Sequence, residues 1–120
     1  MKANELMIGD WVLFATRLTK INGIAEGGFS VNLEREGWQS ISAIEPIPLT
    51  AEILEKNGFE KDPESGELIW TDDDVTEVVW VGTILTIRGE YANAEFATCM
   101  FVHQLQHALR LCGIEKELEL

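Results

Sequence analysis

Two histidines stand four positions apart in the run His103-Gln-Leu-Gln-His107, and on a helix that spacing puts both imidazoles on one face. Imidazoles so placed hold a zinc ion in the His-Glu-x-x-His pattern of metallopeptidases, where the Glu beside the first His is the general base. Gln104 occupies that position here, and an amide takes no proton from bound water, which argues against such a peptidase. Metal binding of any kind needs a third ligand, and the spacing of the carboxylates singles none out. His103 and His107 therefore read first as polar-face residues with no cofactor, and a metal-dependent enzyme using both is the alternative.

Gln106 and Arg110 fall beside the two histidines on the same helical face. Such a face either pairs with an acidic strand of its own protein or, left open, docks a protein partner. Cys99 is placed near the helix start, where the dipole can lower a thiol pKa, but beside Phe101 and Val102 it reads as a small buried hydrophobe. Cys112 falls on the apolar stripe and reads as core. Asp72-Asp-Asp74 invites a calcium loop, yet Thr76, Glu77 and Thr83 stand where that loop needs a ligand, a glycine and a bidentate Glu; an acidic turn fits better. Of the four tryptophans, Trp38 follows a polar turn and is the one expected to be exposed and to line a groove.

Those residues need elements to hold them. Around residues 101–112 a wheel of about 100° per residue gathers Phe101, Val102, Leu105, Ala108, Leu109 and Cys112 into one stripe. Gly113 supplies a left-handed stop, which predicts a helix over 99–112 covering a sheet. Residues 1–49 hold short β-rich runs separated by turns: Trp11–Phe14, Leu18–Ile24, Phe29–Leu33 and Trp38–Ile41, with Ala43–Pro48 extended before its prolines. In the third run Phe29, Val31 and Leu33 share one face. The meander opening on Gly9-Asp-Trp-Val is similar in architecture to the entry of an SH3-like barrel, without the acidic-aromatic residues that grip proline-rich peptides.

Thr50 is placed to cap a short helix over 51–57 that ends at Asn57-Gly58. Strands follow over about 59–97, including an edge strand around Tyr91–Phe96. The tail 114–120 alternates Ile, Lys, Leu, Leu against Glu115, Glu117 and Glu119, which predicts a final edge strand. The expected fold is α+β: an SH3-like β module over 1–49, then an α+β module over 50–120 with a short helix, an antiparallel meander and one long C-terminal helix packed on the sheet.

The 120 residues carry a net charge of −12, unevenly: residues 1–50 hold 6 acids and 4 bases, residues 51–120 hold 15 and 5. That field repels phosphate backbones, so direct nucleic-acid binding is not expected, whereas a basic protein partner suits it. An acidic mimic of nucleic acid, blocking a DNA-binding protein, is a second alternative. No apolar run reaches the ~18 residues of a membrane span, and the N-terminus lacks a signal-peptide pattern. Two cysteines 13 positions apart on one helix lie ~20 Å apart, beyond bridging distance. Free thiols without an export signal point to a cytoplasmic setting.

Three blocks, Asn4–Val12, Ile44–Phe59 and Phe101–Ile114, together resemble a family of small uncharacterised proteins of Bacteroides-type gut bacteria, often encoded in prophage or other mobile-element regions. The resemblance implies a bacterial cytoplasmic setting and a phage-related context, and brings no activity and no catalytic residues. The function expected is a non-enzymatic protein-interaction protein, working through the polar face His103, Gln106, His107 and Arg110 or through a groove near Trp38.

Overall fold

The computed structural model of the chain describes residues 1–72, 76–89 and 93–120 and is α+β. It divides into two compact units. The first comprises Met1–Pro48 with Phe101–His107, the second Leu49–Met100 with Ala108–Leu120. The last helix thus contributes its first turns to one unit and its end to the other. Among the described residues no helix is long and apolar enough to cross a membrane.

In the first unit, β1 (Trp11–Phe14), β2 (Arg17–Ile24), β3 (Ser30–Leu33) and β4 (Gly37–Ser40) form an antiparallel meander. A 3-10 turn at Ile41–Ala43 then leads into β5 (Ile44–Glu45), which returns to pair with β1, giving a curled sheet of order β4-β3-β2-β1-β5. Alternation explains the curl's inner face: Val12, Ile21, Val31, Leu33 and Ile44 join Leu6 in one buried cluster. Each such side chain stabilises the fold by about 1.5–3 kcal/mol. The β1–β2 turn is made by Ala15 and Thr16, both at positive φ (48° and 65°), a conformation costly for residues with a Cβ.

Phe29 departs from the expected face. It precedes β3, following Gly27 and Gly28 at positive φ, and the turn leaves its ring 79% exposed while Val31 and Leu33 are buried.

In the second unit, α1 (Ala51–Lys56) starts at Thr50, whose Oγ1 accepts from the Ile53 N–H. It ends where Gly58 donates to Glu55 and Phe59 to Leu54, with Gly58 at a φ of 89°, the paired bonds of a glycine stop. β6 (Glu60–Lys61), β7 (Leu68–Thr71), β8 (Glu77–Val81), β9 (Ile84–Arg88) and β10 (Asn93–Phe96) form a second antiparallel sheet in sequential order. Tyr91 and Ala92, expected at the start of the last strand, lie outside the described residues, as do Asp73 and Asp74 of the acidic turn.

α2 runs over Val102–Leu111, shorter than the expected 99–112. Its start is displaced because Phe101 bridges to Pro48 and the Val102 N–H donates to the Ile47 carbonyl, so the chain is extended until residue 101. Gln104 then reaches back, its Oε1 accepting from the Phe101 N–H, the return half of a capping box. At the other end Gly113 donates to Arg110 and Ile114 to Leu109. Cys112 lies beyond the last helical residue and is exposed, which corrects its placement in the core: the stripe ends at Leu109.

The tail keeps the expected alternation, with Leu118 buried and Glu115, Glu117 and Glu119 exposed, but it forms no strand. A side chain replaces the ladder: Asn57 Nδ2 donates to the Glu119 carbonyl at 2.8 Å, and the Glu119 N–H donates to Asn57 Oδ1 at 2.7 Å.

Candidate functional site

The polar side of α2 belongs to the first unit as far as His107, and there it meets the entry to β1. Asp10 is fully buried, and its Oδ2 accepts from His107 Nε2 at 2.6 Å and from the Met7 N–H at 2.8 Å. With the carboxylate as acceptor, the ring proton sits on Nε2. Gln106 bonds the same segment twice, its Oε1 accepting from the Trp11 N–H (2.9 Å) and its Nε2 donating to the Gly9 carbonyl (3.0 Å). These are main-chain groups that a strand entry would otherwise leave unsatisfied, so the amide of Gln106 fixes where β1 begins.

His103 is 3% exposed. Its ring stacks on Phe101 at 5.9 Å between centroids and meets His107 edge-on at 5.6 Å. Nδ1 is buried with no hydrogen-bond partner. Burial pushes its pKa below the usual 6.5, against the opposing pull of the Asp10 charge. A histidine so placed is neutral at pH 7 and acts as an aromatic spacer between Phe101 and His107.

A carboxylate-oriented imidazole is also half of a general-base arrangement. A metal reading finds no third ligand: among the described residues no three His, Cys, Asp or Glu side chains are gathered in position to hold an ion. Cys99 is buried, and burial raises its thiol to about 12, so it is protonated and unreactive at neutral pH. Arg110 lies past His107 in the part of the helix assigned to the second unit, and is exposed.

Trp38 stands apart from this cluster. It sits on β4, at the opposite end of the sheet order from the β1–β5 pair. The residue is 57% exposed; it pairs with Asn32 of β3, and its ring reaches Gly23 of β2, where a Cβ would come within 3.7 Å of it. The register of β2 against β3 shifts at a bulge between Ile21 and Gly23, beside this contact. On the same unit Lys20 covers Trp11 at 4.9 Å, so the first tryptophan is already occupied by a cation.

The second unit has an open cleft of about 640 Å³ between Trp70, Asp72, Thr76 and residues 112–117. Lys116 lies over Trp70 at 4.8 Å, and partial burial lowers its pKa while Glu119 raises it. Sequence reasoning passed over this pair because a lysine in an alternating tail carries no local signal of the ring it will cover.

No family model matches the sequence, and neither a curated protein nor a solved structure is significantly similar to the chain.

Proposed function

We propose that the chain is a non-enzymatic protein-interaction protein whose contact surface is the Trp38 face of the first sheet. The exposure of Trp38, a large aromatic on the outermost strand, carries this reading. Exposed tryptophan is the residue type that contributes most per contact at interfaces. Phe29, 79% exposed on the same unit, adds a second aromatic.

The helix face supports the choice by contrast. His103 is buried and Gln106 and His107 are bonded within their own unit, so of the expected contact residues only Arg110 and Trp38 stand exposed. The partner is a protein, because the net charge of −12 disfavours nucleic acid. We read the first unit as SH3-like: a four-stranded meander, a 3-10 turn and a short strand returning to β1. A cytoplasmic, bacterial mobile-element setting accompanies the reading, and the neighbouring genes test it.

Photo-crosslinking tests the surface. A photoreactive phenylalanine analogue in place of Trp38 gives a discrete adduct in cytosol of the source cell, and the same analogue in place of Arg110 gives none. The reverse pattern assigns the contact to the helix and overturns the proposal.

A further inference from the structure

The bonding pattern of the first sheet says what kind of partner the Trp38 surface fits. β3 and β4 pair as Ser30↔Ser40, Val31↔Gln39, Asn32↔Trp38 and Leu33↔Gly37, without a bulge. The ladder continues one pair further, where the Ile41 N–H donates to the Phe29 carbonyl at 3.0 Å. Bonded and non-bonded pairs alternate in an antiparallel ladder. Gly37, Gln39 and Ile41 therefore turn their main-chain groups toward β3, and Trp38 and Ser40 turn theirs away. The other side of β3 agrees: the Ala25 N–H donates to the Ser30 carbonyl, which assigns Ser30 and Asn32 to β2 and leaves Val31 and Leu33 for β4.

The outer edge of β4 thus presents the N–H and C=O of Trp38 and the N–H of Ser40, whose own carbonyl is taken up by the 3-10 turn that follows, and among the described residues β4 ends the sheet order. Other edges are blunted. β5 and β6 are two residues long, and β10 carries Glu95. β4 reads Gly-Trp-Gln-Ser, with no charge, no proline and no bulge, the devices by which edges avoid pairing.

We infer that the free edge of β4 takes an extended peptide segment of a partner protein as an added strand, with basic residues flanking it. The inference rests on the reading of Trp38 as the contact surface and names its partner's chemistry. Main chain in extended form matches a donor and acceptor on one residue and a second donor two residues on. On the outer face a side chain of the segment comes beside Trp38 at its β4 side, so an apolar residue belongs there. The charge follows from Glu34 and Glu36 against Arg35 in the turn that leads into β4, and from the net −12 of the chain, which also disfavours a second copy of itself.

The test uses the full chain and a display library of random twelve-residue peptides. Selected peptides should carry Lys or Arg flanks and an apolar centre. On binding, the Trp38 and Ser40 amides should gain roughly tenfold or more in hydrogen-exchange protection, and replacing one facing peptide N–H by an ester should weaken binding roughly tenfold. Ser40→Pro removes one edge donor at a residue whose φ of −64° already suits proline and should lose a similar factor, whereas Ser40→Ala, which removes only the hydroxyl that accepts from the Ser42 N–H, should bind as the native chain does. Peptides that need Trp38 but tolerate both the ester and Ser40→Pro would leave the surface standing and overturn strand addition. Peptides indifferent to Trp38→Ala, or no selected peptide at all, would overturn both. Protection of the two amides that grows with protein concentration alone would assign the edge to a second copy and overturn the peptide.

Discussion

His107 Nε2 lies 2.6 Å from Oδ2 of Asp10, a carboxylate with no solvent exposure, and the two residues are 97 positions apart in the chain. That bond, with the two made by Gln106, ties the middle of α2 to the entry of β1. The helix face that looks most like a site is thereby a structural seam of the first unit. Truncating His107 to Ala leaves a buried oxygen short of a donor, at a cost of about 1–3 kcal/mol. Urea denaturation measures it, and a double-mutant cycle with Asp10→Asn should show coupling; additive losses would mean the two groups act separately.

His103 makes the fold sensitive to mild acid. Its folded pKa lies below the usual 6.5 because burial penalises the charged ring. The unfolded state then binds the proton more tightly, so this stability is fully present above about pH 6.5 and declines as pH falls below it. Urea midpoints from pH 8 to pH 5 should fall on the acid side for the native chain, and the fall should be smaller in His103→Phe. An equal fall in both would place the sensitivity elsewhere.

Ala15 and Thr16 hold a two-residue hairpin turn at positive φ, the conformation that Asn-Gly adopts without penalty. The pair Ala15→Asn/Thr16→Gly should raise stability by about 1–2 kcal/mol. Thermal unfolding checks it, and an unchanged midpoint would show that the turn carries no strain.

The two cysteines should separate cleanly in alkylation. Cys112 is exposed and Cys99 is buried with its thiol near 12. Mass spectrometry after brief iodoacetamide treatment at pH 8 should find one modified residue, Cys112, and the second only after unfolding. Equal rates would contradict the burial of Cys99.

Much of this was legible in the residues. Val102, Leu105, Ala108 and Leu109 fall on one wheel stripe and are buried, and Gly113 ends the helix with the paired bonds that position predicts. The wheel placed His103 opposite the stripe because it assumes one buried face, whereas residues Met7 to Trp11 cover the other. Nothing local marks Asp10 as the partner of a histidine 97 positions away. The tail's period of two reports which side chains are buried, and that is true of it; whether an extended segment joins a ladder depends on an edge, and here Asn57 offers an amide instead. Phe29 shows the same limit, since a turn of glycines ahead of β3 turns its ring out.

Stability can check the orientation of β4 before any partner is found. Ser40→Pro loses no ladder bond, only the hydroxyl that accepts from the Ser42 N–H, and should cost about 1 kcal/mol, whereas Gln39→Pro removes a ladder bond to β3 and should cost about 3 kcal/mol or more. Equal losses would mean that the edge assignment is wrong.

Amide hydrogen exchange along Gly37–Ile41, in the chain alone and with the partner captured at position 38, is the decisive measurement. Alone, Trp38 and Ser40 should exchange freely while Gln39 and Ile41 are protected; in the complex, Trp38 and Ser40 should become protected as well. Protection of Trp38 and Ser40 in the free chain, or none gained on binding, would contradict the assignment of the β4 edge as the contact surface.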